Sequence, residues 1–130
     1  MASGSGIRSY RDLLIWQKGM MLAKRVYAMT RSFPTDERFG LTAQMRRAAV
    51  SVPSNIAEGQ ARRGKKEFVQ FLSHAEGSLA ELDTQLLLAV DLGYCRSAEA
   101  EASEATIAEI QKMIASLRGK LATREGETSG

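Results

Sequence analysis

Few residues in this sequence are of a type that performs catalysis, and their spacing does not bring them together. There is one histidine, His74, and one cysteine, Cys95. A general base needs a nucleophile or a carboxylate within hydrogen-bond reach, and none falls at helical spacing beside His74, which reads as a solvated or hydrogen-bonded side chain. Cys95 falls in a predicted loop and reads as an incidental thiol. A single cysteine excludes an internal disulfide, and one cysteine with one histidine cannot build a zinc site within the chain. Glu76 and Asp83 stand seven residues apart, but di-iron bundles use Glu-x-x-His on two helices and that motif is absent. The expectation is a protein with no catalytic residues, no metal and no cofactor.

The cations carry more information. The chain has a net charge of +3, but residues 1–66 hold 13 Lys and Arg against 4 Asp and Glu, and residues 67–130 hold 5 against 11. Such asymmetry suits a nucleic-acid surface, or a basic half that pairs with an acidic half within or between subunits. Candidate contacts to RNA or to a protein partner are Lys18, Lys24, Arg25, Arg46, Arg62, Arg63, Lys65 and Lys66, the last four in the connector Gln60-Ala61-Arg62-Arg63-Gly64-Lys65-Lys66. Arg46 and Arg47 are about 100° apart on a helix, so they face different partners. Arg47 is expected to form a buried or interfacial salt bridge to Glu58, Glu67 or Glu81. With 6% aromatic residues, and phenylalanines read as seam positions, single-strand stacking platforms are not expected.

The elements that position these residues are helical throughout, since no segment alternates with period two. Helices are expected over residues 12–32, 37–59, 65–92 and 98–122 of a bundle domain 10–123, with a flexible lead at 1–9 and a flexible tail at 124–130. Asp12 and Ser97 are read as N-caps, and Gly59 and Gly93 as C-terminal stops. In the third helix Phe68, Phe71, Leu72, Ala75, Leu79, Leu82, Leu86 and Ala89 recur three and four apart, as do Ile107, Ile110, Ile114, Leu117 and Leu121 in the fourth. Gly77 in mid-helix suggests close approach of a neighbour. The fold class is all-α, an antiparallel up-and-down four-helix bundle. No apolar run approaches the ~18–20 residues that span a bilayer, and a cytoplasmic location is expected.

The second helix is the most distinctive. Leu41, Met45, Ala48, Val52 and Ile56 share one face, with Gln44, Arg47, Ser51, Ser54, Asn55 and Glu58 beside it. Pro53 interrupts the pattern, so a kink is expected, with nearby short polar side chains serving the carbonyl of Ala49. The first helix has two apolar stripes: Ile15, Gly19, Leu22, Val26 and Met29, then Leu13, Trp16, Met20, Ala23 and Tyr27. Together they cover roughly 200° of circumference, more than a bundle-surface helix needs. A second subunit, docked on Trp16 and Tyr27, would cover the excess; the alternative is a wide stripe wrapped by the chain's own helices.

Phe39-Gly40-Leu41, Gln44, Arg46-Arg47-Ala48, Ser51 and Pro53-Ser54-Asn55-Ile56-Ala57-Glu58-Gly59, preceded by Leu14-Ile15-Trp16-Gln17-Lys18 and followed by Glu67-Phe68, Phe71-Leu72, Ala75, Gly77-Ser78-Leu79 and Glu81-Leu82, closely resemble the bacterial 23S rRNA intervening sequence proteins. The resemblance covers about residues 10–121. It implies a four-helix bundle assembled as a cyclic homopentamer, without established enzymatic activity. A related branch, the accessory variability determinant proteins of diversity-generating retroelements, implies a basic pentamer that binds reverse transcriptase and RNA. Two readings follow: an RNA-associated homo-oligomer, and a protein-interaction scaffold such as a reverse-transcriptase accessory subunit.

Overall fold

A computed structural model describes residues 9–129, with side chains to Ala122. Four helices, α1 (Leu14–Thr30), α2 (Leu41–Ala61), α3 (Lys65–Asp91) and α4 (Ser97–Ser129), are joined by short connections, with 3-10 turns at Tyr10–Asp12 and Thr35–Glu37 and no strand among the described residues. Each helix packs on the next in sequence and α4 closes back on α1. The side-chain pairs fix the directions. Thr30 meets Arg46 while Gly19 meets Pro53, so α2 runs back along α1. Ser51 meets Ser78 while Gly59 meets Phe71, which reverses the chain again into α3. Lys18 meets Glu109 while Arg25 reaches Ala102, which sets α4 antiparallel to α1. This is the up-and-down arrangement that short loops dictate.

The core holds most of the seam positions read from spacing, but not Phe71, which is half-buried and outside it. Leu22, Val26, Met45, Val52, Ile56, Leu72, Leu79, Leu82, Leu86, Ile110 and Ile114 are wholly buried. Phe68, Leu117 and Leu121 pack on its edge. Each large aliphatic side chain removed from water contributes roughly 1.5–3 kcal/mol. These contributions seat α4 on the bundle, while the Ala and Glu residues of its exposed face favour the helix itself.

The helix ends differ from the sequence reading. Asp12 does not cap α1; with Ser9 it forms a capping box around the 3-10 turn, the Ser9 amide donating to Asp12 at 3.2 Å and the Arg11 amide donating to Ser9 Oγ at 3.1 Å. Leu13 is extended, and α1 starts at Leu14. The second helix begins at Leu41 rather than 37, because Glu37 closes its own turn and then caps the helix from outside: the Leu41 amide donates to Glu37 Oε1 at 3.0 Å. Gly40 leaves room for that carboxylate, which would lie 2.7 Å from a side-chain carbon there. Ser97 is the first helical residue of α4, and the Glu99 carboxylate accepts from the Arg96 amide at 3.1 Å. Gly93 does stop α3: at φ 77° it closes a Schellman motif, with Gly93 N–H to the Val90 carbonyl and Tyr94 N–H to the Ala89 carbonyl. The backbone of α4 continues to Ser129, through the segment read as a tail from 124, since no proline interrupts it. The lead read at residues 1–9 falls, apart from residue 9, outside the described residues.

Gly59 is not a stop. The helix continues to Ala61, and Gly59 is buried where α2 crosses α3: a side-chain carbon there would lie 2.8 Å from Phe71 Cβ and 3.0 Å from Phe68 Cδ1. The chain turns four residues later, at Arg63 with φ 67°. Gly77, by contrast, is exposed with nothing within 4 Å of a would-be side chain, so no helix of this chain explains it.

Candidate functional site

Pro53 lies within one continuous helix, Leu41–Ala61, and is buried. Its ring fills the space left by Gly19 on α1, with a would-be Gly19 side-chain carbon 3.3 Å from Pro53 Cβ. Asn55 does not serve the Ala49 carbonyl; its amide donates to the Ser51 carbonyl and to Ser51 Oγ, both at 2.8 Å, and Ser51 Oγ in turn meets Ser78 Oγ at 2.7 Å. A polar chain thus links α2 to α3 beside the proline. The residues of the distinctive stretch therefore hold α2 between its two neighbours.

The eight candidate cations separate into three groups. Two reach over the surface from α1 to α4. Lys18 Nζ lies 3.2 Å from Glu109, and Arg25 donates to the Ala102 carbonyl at 3.1 Å and to Thr106 Oγ1 at 2.6 Å. The uniformly basic face read on the first helix is thus partly a strap between α1 and α4, which sequence spacing could not show because it does not say which helix lies alongside.

A second group lines a groove between α1 and α2. One section, about 590 Å³, is bounded by Tyr10, Trp16, Met20, Lys24, Val50 and Pro53, among others. The adjoining section, about 650 Å³, is bounded by Arg38, Phe39, Thr42, Arg46 and Arg47, and shares Tyr27 and Val50 with the first. Arg46 donates to Thr30 Oγ1 at 2.8 Å with its guanidinium 4.6 Å from the Tyr27 ring centre. Arg38 lies 4.8 Å over Phe39, a ring that is 84% exposed. The expectation that the phenylalanines lie in seams fails for Phe39, which precedes α2 and belongs to no seam. Trp16 is half-buried, edge-on to Tyr10 at 5.3 Å, and Tyr27 is exposed. Of the second stripe on α1, Leu13 and Ala23 are covered by the chain itself, and Trp16, Met20 and Tyr27 line the groove.

The expected Arg47 salt bridge is absent among the described residues. Arg47 is exposed, and Glu58 pairs instead with Arg62 one turn on, at 3.0 Å. Arg47 lines the groove section with Arg38, Phe39 and Arg46, and neither Glu67 nor Glu81 pairs with it among the described residues.

The third group is the connector. Arg62 is held by Glu58 and lies 5.4 Å over the Phe71 ring. Arg63, Lys65 and Lys66 are exposed and form no ion pair among the described residues.

The remaining reactive residues stay apart. His74 is exposed, edge-on to Phe71 at 5.8 Å. Glu76 pairs with Arg118 at 2.7 Å. Burial, then the nearby Glu99 charge, pushes the Cys95 thiol above its ordinary pKa, which makes it a poorer nucleophile. Among the described residues no three His, Cys, Asp or Glu side chains gather where a metal ion would need them. Also among them, no helix is long and apolar enough to cross a membrane.

Residues 11–116 match the sequence model of the 23S rRNA-intervening sequence protein family. The chain belongs to that family. As a 23S rRNA-intervening sequence protein it also shares its fold with a crystal structure of a protein of unknown function from the S23 ribosomal protein family of Bacteroides thetaiotaomicron. That likeness has a TM-score of 0.72 at 21% identity and covers 81% of this chain and 98% of the other. No curated protein matches the sequence. The family's arginine-to-glycine stretch is, in this member, the set of contacts that seats α2: Arg46 on Thr30, Ser51 on Ser78, Pro53 on Gly19 and Gly59 on Phe71.

Proposed function

We propose that this protein is a non-enzymatic, self-assembling bundle that associates with RNA through its basic surface. The observation that carries the RNA half is the connector, where Arg63, Lys65 and Lys66 are exposed without ion pairs at one end of the bundle. Cations with no protein partner keep their full charge for phosphate, whereas Lys18 and Arg25 are already engaged. The family's link to 23S rRNA supports the same reading. Assembly is supported by the groove, whose exposed Tyr27, Phe39 and Val50 leave apolar surface in water. A cyclic homopentamer is the form that the family resemblance favours, and the cytoplasm is the matching location.

The test is titration of structured RNA at low and rising salt. Affinity is expected to fall with a log–log slope of about −0.7 for each single-strand phosphate neutralised. The variant Arg63→Ala/Lys65→Ala/Lys66→Ala should flatten that slope by about 2 if each cation meets one phosphate. Absence of binding at low salt would sink the RNA reading. The second reading, a scaffold for a protein such as a reverse transcriptase, is favoured by the same apolar groove, and a partner that binds with little salt dependence would support it.

A further inference from the structure

The molecule leaves two apolar patches in water, on opposite sides of the charge balance. The groove between α1 and α2 exposes Tyr27, Phe39 and Val50 among Lys24, Arg31, Arg38, Arg46 and Arg47, and no carboxylate lines either of its sections. The second patch is the C-terminal end of α3, where Leu87, Leu88 and Leu92 are 51%, 47% and 50% exposed. Glu81 and Asp91 flank it on the exposed surface, and from Glu67 to Cys95 the chain holds no Lys or Arg. Leu88 and Leu92 lie one turn apart on the same helix face as Glu81, two turns earlier. Among the described residues, no helix covers either patch.

Their heights match. Tyr94, just past the end of α3, donates to Glu37 Oε2 at 2.9 Å and packs its ring 5.5 Å from Phe33, so the leucine patch lies at the same end of the bundle as Phe39 and the start of α2. Rotation about an axis along the bundle moves a surface sideways without changing its height. Two complementary patches at one height, on different elements, are what a closed ring of identical subunits needs.

We infer that the α1/α2 groove of one copy receives the leucine-rich, acidic end of α3 of the next, so that the subunits join head to tail. This inference rests on the self-assembly reading above and adds which surfaces meet. The contact is heterologous: groove to ridge, never groove to groove. Ser51 lies level with Ser78, so at matched heights Arg46 and Arg47 face the carboxylate of Glu81, Arg38 faces that of Asp91, and Leu88 and Leu92 lie against Phe39. The acidic second half of each chain thereby meets the basic first half of its neighbour.

The experiment uses two single variants of the full chain, Val50→Glu in the groove and Leu88→Arg on the ridge, each at an exposed position so that helicity by circular dichroism stays intact. Native mass spectrometry or light scattering then gives the mass. Wild type should exceed the 14.2 kDa of one chain, each variant alone should fall to that mass, and an equimolar mixture should recover an assembly of at least twice it. Recovery is the decisive result, because the mixture contains one intact groove and one intact ridge. An assembled Leu88→Arg beside a monomeric Val50→Glu would mean groove-to-groove packing and overturn the inference while leaving self-assembly standing. Two assembled variants, with RNA binding lost only in Val50→Glu, would assign the groove to RNA and overturn it as well. A monomeric wild type would remove the self-assembly reading itself, and the inference with it.

Discussion

Gly19 on α1 and Pro53 on α2 touch backbone to ring: a side-chain carbon added at Gly19 would lie 3.3 Å from Pro53 Cβ and 3.4 Å from both its Cα and Cδ. The proline ring is rigid and buried, so it yields little. Gly19→Leu should therefore overpack the crossing and destabilise the fold by about 1–3 kcal/mol. A lower urea midpoint with an unchanged slope would show it; an unchanged midpoint would mean that α1 shifts freely over α2.

Gly59 and Gly77 should respond in opposite directions. At Gly59 the obstacle is Phe71 Cβ, which cannot swing away without moving its helix, so Gly59→Ala is expected to cost about 1–3 kcal/mol. Gly77 meets nothing within 4 Å, and Gly77→Ala should stabilise the subunit by roughly 0.5–1 kcal/mol through helix propensity. Thermal melts of the two variants side by side decide both.

Glu37 and Tyr94 make stability depend on pH at both ends. The Leu41 amide, and then the Tyr94 hydroxyl, hold the Glu37 carboxyl below its ordinary pKa, while the same hydrogen bond, with burial and the charges of Glu37 and Asp36, raises the Tyr94 phenol. A depressed carboxyl adds stability above its unfolded pKa and loses it as pH falls through the folded one. A raised phenol adds stability below its unfolded pKa and loses it as pH rises through the folded one. The link between the α1–α2 connection and the end of α3 should thus be intact from mildly acidic to mildly alkaline pH. Tyr94→Phe should move the Glu37 carboxyl back toward its ordinary value, read by carboxyl NMR titration; no movement would mean that the Leu41 amide alone sets it.

Arg63 turns the chain with φ 67°, a conformation that L side chains adopt at a cost of about 1–2 kcal/mol. Arg63→Gly should raise stability by roughly 0.5–1 kcal/mol, since glycine accepts this φ but loses more freedom on folding. It should also weaken RNA binding at low salt. A variant that melts higher and binds RNA less would separate the cation's role from any structural one; equal affinity would remove Arg63 from the contact surface.

The parts of this fold that are legible in the sequence are those set by period alone. Leu72, Leu79 and Leu86 were readable as a seam because burial repeats every three or four residues. Gly59 reads as a stop from sequence because a helix stop and a close helix crossing both use glycine, and only the position of Phe71 distinguishes them. Arg25 looked like a free cation because its acceptors, Ala102 and Thr106, lie 77 and 81 residues away. Sequence spacing does not bring Arg38, Phe39, Val50 and the exposed leucines of α3 together as surfaces. The signal for Phe39 was present, a large aromatic just before a helix and outside every seam, but which face it adjoins depends on packing.

The nearest-neighbour order of the bundle also bears on how fast it forms. Contacts between α1 and α2 and between α2 and α3 close loops of modest length, and the turn at Arg62–Gly64 is only three residues long. Such local topology belongs to proteins that fold in microseconds to milliseconds. Docking of α4 on α1 is the exception, since the Arg25 strap spans most of the chain and its loop-closure entropy is recovered only when the ends meet. The three N-terminal helices should thus assemble first, with α4 closing last, and Arg25→Ala should speed unfolding more than it slows folding.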